Sequence, residues 1–191
     1  MGARYSFVTQ WRVWAPPERA WEAIAHPLNW PEWWKEVLSV EELAPAGADG
    51  LGAVHRYTWK SALPYRLVFD MRVTLVDEPA ALEGRATGEL EGTGRWTFTP
   101  EGEATLVRYY WEIETTRRWM NALAPLLRPA FAWNHDYVMR SGARGLERRL
   151  GGRVESIEGR RPRRLWKRAL AGAFAAVGGL ALLTGLRRAR A

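Results

Sequence analysis

The sequence predicts an α+β domain: an antiparallel sheet of six to seven strands, two short helices after the first strand, and a long helix after the last. Three observations carry this. Residues 39 to 116 alternate apolar and polar side chains between turn-forming clusters. Helical spacing replaces that alternation at residues 15–38 and again beyond residue 129. The chain has 191 residues, 47% hydrophobic and 12% aromatic, which suits one well-cored domain with an appended segment.

The first strand is RYSFVTQWRVW. Tyr5, Phe7, Trp11 and Val13 share one face, with Ser6, Gln10 and Arg12 on the other, the period of a half-buried strand. APPERAWEAIA opens with prolines suited to a helix start and places Trp21, Ile24 and Ala25 at i, i+3, i+4. The next stretch, HPLNWPEWWKEV, reads as a second short helix, with Asn29 as N-cap and Glu32 three residues on. Trp30, Trp33, Trp34, Val37 and Leu38 then form one continuous stripe. Burying its three tryptophans removes enough area to stabilise the fold by an upper bound on the order of 10 kcal/mol. That favours a core or the lid of a cavity over a surface facing a membrane or partner.

After the loop APAGADGLG, the segments AVHRYTWKS, YRLVFDMRVTLVDEP, ALEGRATGEL, GTGRWTFTPEG and ATLVRYYWEIETT read as successive strands, with EGTGRW taken as a hairpin turn. Leu67, Phe69, Met71, Val73 and Leu75 share a face, as do Val107, Tyr109, Trp111 and Ile113. Pro125 and Pro129 predict a broken helix start. From Pro129 a helix runs to about Leu150, with Phe131, His135, Val138, Met139, Gly142, Leu146 and Leu150 on one face. Gly142 and Gly145 each cost a helix roughly 1 kcal/mol against alanine, which predicts close approach of the sheet there.

Charge divides the chain. Nine basic residues and no acidic ones occur from Arg160 onward, leaving 19 basic against 21 acidic residues before it. A mildly acidic body argues against a nucleic-acid partner. The chain has no cysteine, so disulfides, thiolate metal sites and cysteine nucleophiles are excluded. His26, His55 and His135 match no zinc spacing; no metal and no cofactor is expected. No G-x-S-x-G, P-loop or G-x-G-x-x-G is present.

The order strand, two helices, antiparallel run, long helix resembles the helix-grip fold of the START and birch-allergen-like (SRPBCC) superfamily. APPERAWEAIAHPLNWPEWW, LPYRLVFDMRV, ATGELEGTGRWTFTPEGEATLVRYYWEIETT and FAWNHDYVMRSGARGLERRL carry the likeness. They look like its bacterial polyketide cyclase/dehydrase branch, over about residues 4 to 150. The resemblance implies a curved sheet wrapped around the last helix and an elongated apolar cavity between them, closed at one end by the short helices.

The expected function is therefore binding, with transfer as its extension, of an apolar small molecule or lipid; the alternative is a polyketide cyclase/dehydratase-like enzyme. Expected ligand contacts are Trp30, Trp33, Trp34, Tyr57, Trp59, Phe69, Met71, Tyr109, Trp111, Phe131, His135 and Met139. His135 and Tyr109 are the candidate proton-transfer groups. For His135 the competing reading is a neutral histidine bonded to a backbone carbonyl or tyrosine. Asn134 is a further candidate at the cavity edge, and His55 is expected at an exposed strand edge, the other reading being a second polar anchor. Arg56 and Arg66 are either solvated or placed to meet an acidic head group. Asp136 projects away from His135 and forms no dyad with it by adjacency.

The domain is read as residues 1–152, followed by a basic linker at 153–168, a candidate transmembrane helix at 169–186 and a basic end at 187–191. Residues 169–186 hold 18 residues without charge, about 27 Å as a helix, flanked by arginines and Trp166. Six basic residues before the segment and three after it point to a cytoplasmic domain anchored at the inner membrane. A helix packed on the domain and a basic interfacial tail are the other readings, which leave the protein soluble in the cytoplasm or loosely attached.

Overall fold

A computed structural model describes residues 2–62, 65–116 and 118–157, with side chains of the long helix from Arg128 onward. The elements run β1 (Arg4–Val13), α1 (Pro17–Ala25), a single 3-10 turn (Pro27–Asn29), α2 (Trp30–Trp33), β2 (Val37–Ala44), β3 (Val54–Lys60), β4 (Arg66–Asp77), β5 (Ala81–Gly88), β6 (Leu90–Glu101), β7 (Ala104–Thr115), α3 (Arg118–Leu150) and β8 (Val154–Ile157). This is the predicted α+β helix-grip fold: a long, curved antiparallel sheet with a long C-terminal helix against one face.

The sheet has eight strands in the order β2-β3-β4-β5-β6-β7-β1-β8. The meander from β2 to β7 follows the sequence, and β1 then pairs with β7 along its whole length, Arg4 opposite Glu114 and Val13 opposite Thr105. Alternation along the strands decides which side chains meet α3. On β1, Phe7, Trp11 and Val13 are buried; on β7, Val107, Trp111 and Ile113 are buried. The opposite faces carry exposed ion pairs such as Arg12–Glu101 at 3.2 Å and Arg56–Asp70 at 2.8 Å. Arg56 thus has a carboxylate partner on the outer face, and Arg66 is exposed.

Several expectations need correction. The tryptophan helix is one turn, not two. Trp34 leaves the helical region (φ −105°, ψ 96°), and Val37 and Leu38 belong to β2, with Val37 buried and Leu38 exposed. Backbone pairing with β3 outcompetes the helical stripe there. Asn29 makes no side-chain cap; its backbone is helical and Pro31 follows immediately after Trp30, while Glu32 faces Arg149 at 3.4 Å. EGTGRW is the interior of β6, and the reversal falls earlier, at Gly88–Leu90. Pro125 and Pro129 do not delay α3, which begins at Arg118. The four-residue β8, paired with β1, lies in the stretch read as linker.

Gly142 and Gly145 mark a close approach, but the approaching element is the tryptophan turn and not the sheet. A Cβ at Gly142 would overlap the Trp34 indole, and one at Gly145 would overlap the Trp33 carbonyl oxygen. The Trp34 indole N–H donates to the Val138 carbonyl at 3.0 Å, and the Trp30 indole N–H to the Ile24 carbonyl at 3.0 Å. Trp11, Trp30, Trp33, Trp34, Trp59 and Trp96 continue this as one ring cluster, with centroids 5.1 to 6.5 Å apart. Among the described residues no helix is long and apolar enough to cross a membrane. The candidate span at 169–186, the linker from residue 158 and the basic end lie outside the described residues.

Candidate functional site

Along its middle, from Phe131 to Met139, α3 stands over the inner faces of β1, β3, β4 and β7 and leaves a cavity of about 130 Å³. That is room for roughly four water molecules at about 30 Å³ each. Phe131, Asn134, His135, Val138 and Met139 form its roof, at helical spacing on one face of α3. The sheet supplies Tyr5 and Phe7 from β1, Trp59 from β3, Leu67 and Phe69 from β4, and Tyr109, Trp111 and Ile113 from β7. Strand alternation puts each of these on the inner face. Among the described lining residues Lys60 alone is exposed, and it stands at the rim.

The polar groups are few and unequal. The Asn134 side-chain oxygen accepts from the Ser61 hydroxyl at 2.9 Å and from the Ala62 backbone N–H at 2.8 Å. It ties the end of β3 to α3 at the cavity edge, as its candidate position suggested. The His135 ring stacks on Phe7 with centroids 4.3 Å apart, and both ring nitrogens are buried without a hydrogen-bond partner. Asp136 approaches Nδ1 only to 3.7 Å, beyond hydrogen-bond length. The expected bond from His135 to a carbonyl or tyrosine is therefore not made. The Tyr5 hydroxyl is likewise buried and unpaired, with the Arg128 guanidinium over its ring at 5.7 Å. Trp59, through its indole N–H, is the third described side chain of the lining with such an atom. Native interiors pair nearly all buried polar atoms, and exceptions call for an explanation such as a ligand that belongs there.

Tyr109 stacks on Trp96 at 4.2 Å. Burial pushes its hydroxyl well above the usual tyrosine range, and nearby Tyr57 adds to the shift. Burial likewise raises Tyr57. Both keep their protons at ordinary pH, so Tyr109 can donate a hydrogen bond but is no general base. Tyr65, at the cavity wall, is raised by burial and lowered in part by a hydrogen bond with Ser61.

The predicted contacts divide three ways. Trp59, Phe69, Tyr109, Trp111, Phe131, His135 and Met139 line this cavity. Trp30, Tyr57 and Met71 line a second, smaller one beside it. Trp33 and Trp34 line neither and are packed core, at 6% and 1% exposure. His55 is buried, not at an exposed edge. It sits 3.9 Å from the Glu42 carboxylate, and burial lowers its pKa against the opposing pull of Glu42. Sequence reasoning missed Tyr5, Phe7, Tyr65 and Val138 as cavity walls. For Tyr5 and Phe7 the signal was present, since they share the inner face with Trp11.

Residues 4–151 match the family model described as polyketide cyclase / dehydrase and lipid transport. The chain belongs to that family. Its fold is similar to that of the protein TTHA0849 from Thermus thermophilus, with 25% identity, a TM-score of 0.66, and coverage of 76% of this chain and 97% of that one. The Zhui aromatase/cyclase from Streptomyces sp. R1128 has 17% identity and a TM-score of 0.64, covering 78% of this chain and 94% of its own. A START superfamily protein from Mycobacterium smegmatis has 18% identity and a TM-score of 0.58, covering 78% and 98%. No curated protein gives a significant match. Family membership supports hydrophobic ligand binding or cyclase activity, and the cavity is the candidate place for either. Among the described residues no three of His, Cys, Asp and Glu gather in a metal-binding group.

Proposed function

We propose that this domain binds an apolar small molecule or lipid between the sheet and α3, holding or handing it on without altering it. The observation that carries this is the cavity itself: walls of aromatic and aliphatic side chains, with unpaired polar atoms on Tyr5, Trp59 and His135 in an otherwise largely apolar surface. Such a lining takes its affinity from apolar burial and its orientation from a few polar atoms. The ligand's polar end meets His135 after a small reorientation of the imidazole, and its apolar body lies along Phe69, Trp111 and Phe131. Native mass spectrometry of the purified full chain, followed by solvent extraction, tests this. A stoichiometric apolar molecule is expected; a protein that is empty and stays empty after incubation with lipid extract overturns the reading.

The unpaired His135 nitrogens favour one second reading, a ring-closing enzyme acting on a poly-β-ketone. There the cavity orients the chain and His135 moves a proton during ring closure. His135→Gln would then abolish turnover while the fold and binding persist, and unchanged turnover would remove His135 from the chemistry. In either case we place the domain at the cytoplasmic side of a membrane, tethered through residues 169–186. The support is their uncharged length and basic flanks. Full-length protein that stays in the supernatant after cell breakage and high-speed sedimentation would sink the tether.

A further inference from the structure

Three side chains, Trp59, Phe69 and Tyr109, belong to two cavities at once. The second cavity, about 70 Å³, lies on the other side of them, beneath Ile24, Pro27 and Trp30. Its sheet wall includes Met71, Leu82 and Trp96. The partition between the two spaces is made of these rings.

The floor of the second space is built from missing side chains. Gly84 of β5 and Gly94 of β6 are cross-strand partners and both line it. A Cβ at Gly84 would come within 2.8 Å of the Met71 side chain. One at Gly94 would come within 2.6 Å of the Tyr109 hydroxyl oxygen and 2.9 Å of the Trp111 ring. The glycine pair therefore seats Met71 and Tyr109 and leaves open space where two strand side chains would stand. Tyr109 is held against Trp96 on one side and 5.7 Å from Trp111 on the other, its ring between the compartments.

We propose that the two cavities are one binding site in two compartments, and that Tyr109 is the internal stop that sets how long an apolar chain the site accepts. This rests on the reading that the first cavity binds an apolar ligand. The chain enters past Lys60 at the rim, keeps its carboxylate at His135, runs along Phe69 and Trp111, and ends at the Tyr109 ring. Removing that ring opens the way to Met71 and Leu82.

Saturated fatty acids of increasing length test the stop, with binding to the full chain read by displacement of a fluorescent fatty acid. In the parent protein, affinity rises from octanoate and then breaks before hexadecanoate. Tyr109→Val, which keeps a strand-favouring residue, improves hexadecanoate relative to dodecanoate by roughly tenfold or more, as further methylenes leave water. Trp59→Leu thins the same wall from β3 and shifts the break the same way, while Tyr109→Phe leaves it in place. An uninterrupted rise through hexadecanoate in the parent overturns the stop, whatever the variants do. So does an unchanged break in folded Tyr109→Val and Trp59→Leu, while either result leaves ligand binding standing. Failure of every acid to bind the parent overturns the proposed function, and this inference with it.

Discussion

From Gly142 to Leu146, α3 is closely packed: Ala143 and Leu146 are buried, and glycines at 142 and 145 let the Trp33–Trp34 turn lie directly on the helix. From Phe131 to Val138 the same helix covers a cavity, and its central polar residue, His135, has no hydrogen-bond partner. The two halves have similar rings available to them. What differs is what reaches across from the opposite side. At the packed end a tryptophan turn fills the space, and the Trp34 indole N–H is bonded, at 3.0 Å, to a helix carbonyl. At the open end, among the described residues, the helix faces the sheet and the segment carrying Ser61 and Tyr65, and no tryptophan turn fills the space between them. Rigidity at one end holds the helix in place, so that the other end can remain unfilled.

The most damaging change should therefore lie at the packed end. Trp34 is 1% exposed and contacts Trp11, Trp30, Trp33 and Trp59. Trp34→Ala should cost about 3–5 kcal/mol, since the surrounding rings cannot collapse into so large a hole. In a domain of this size that lowers Tm by roughly 10 °C or more. A loss under about 1 kcal/mol, measured by urea unfolding, would erase the contrast between the halves.

Gly145→Ala sharpens the comparison with a single methyl group. In an exposed helix the change would stabilise by up to about 1 kcal/mol. Here the new Cβ overlaps the Trp33 carbonyl oxygen, a backbone atom that cannot rotate aside. Overpacking costs about 1–3 kcal/mol and should win, for a net loss of up to about 2 kcal/mol. Thermal unfolding measures it, with a control chosen for its backbone. Gly151→Ala is a poor one, because Gly151 has a positive φ of 67°. Ser141→Ala, one residue from the notch, is better. A Gly145→Ala protein at least as stable as the parent would show that the Trp33 turn can move away from the helix.

At the open end the sign should reverse. His135→Phe keeps a ring to stack on Phe7 and removes two buried, unpaired nitrogens, so the empty protein should gain about 1 kcal/mol. The same change should weaken binding of any ligand whose polar end uses His135. A stability gain with weakened binding marks a residue kept for function. A stability loss would show that the imidazole has a partner in the folded protein after all.

Much of this contrast was written in the sequence, and its decisive part was not. Alternation along β1, β4 and β7 is legible because each strand has one dry face and one wet face, so Phe69, Tyr109 and Trp111 could be assigned inward. β2 was hidden because Val37 and Leu38 also satisfy the helical spacing of Trp30 and Trp34; only the backbone of β3, which it pairs with, decides between them. β8 is four residues long in a polar stretch, too short to show a period. The cavity was legible only as a resemblance. Whether Phe131 and Phe69 meet or stand apart depends on the distance between helix and sheet, which no local pattern encodes. The two glycines that seat the helix on the tryptophan turn could be seen, but the element that occupies their notch could not.

The buried histidine His55 carries the comparison to the scale of a single group, with the smallest expected effect. His55 lies in β3, outside both cavities, with its ring 6.5 Å from Tyr57 and 3.9 Å from Glu42. Burial lowers its pKa from the ordinary 6.5, with Glu42 pulling the other way, so the folded protein resists a proton that the unfolded chain accepts. Stability from this group is therefore complete above about pH 6.5 and is lost as pH falls toward the folded value. Tm should decline on acidification from neutral pH, and His55→Asn should flatten that decline without changing ligand binding. A slope unchanged in His55→Asn would place the titrating group elsewhere. A slope that vanished only when ligand filled the cavity would tie acid sensitivity to the open end of the domain, and the packed side of the sheet would no longer be the inert half.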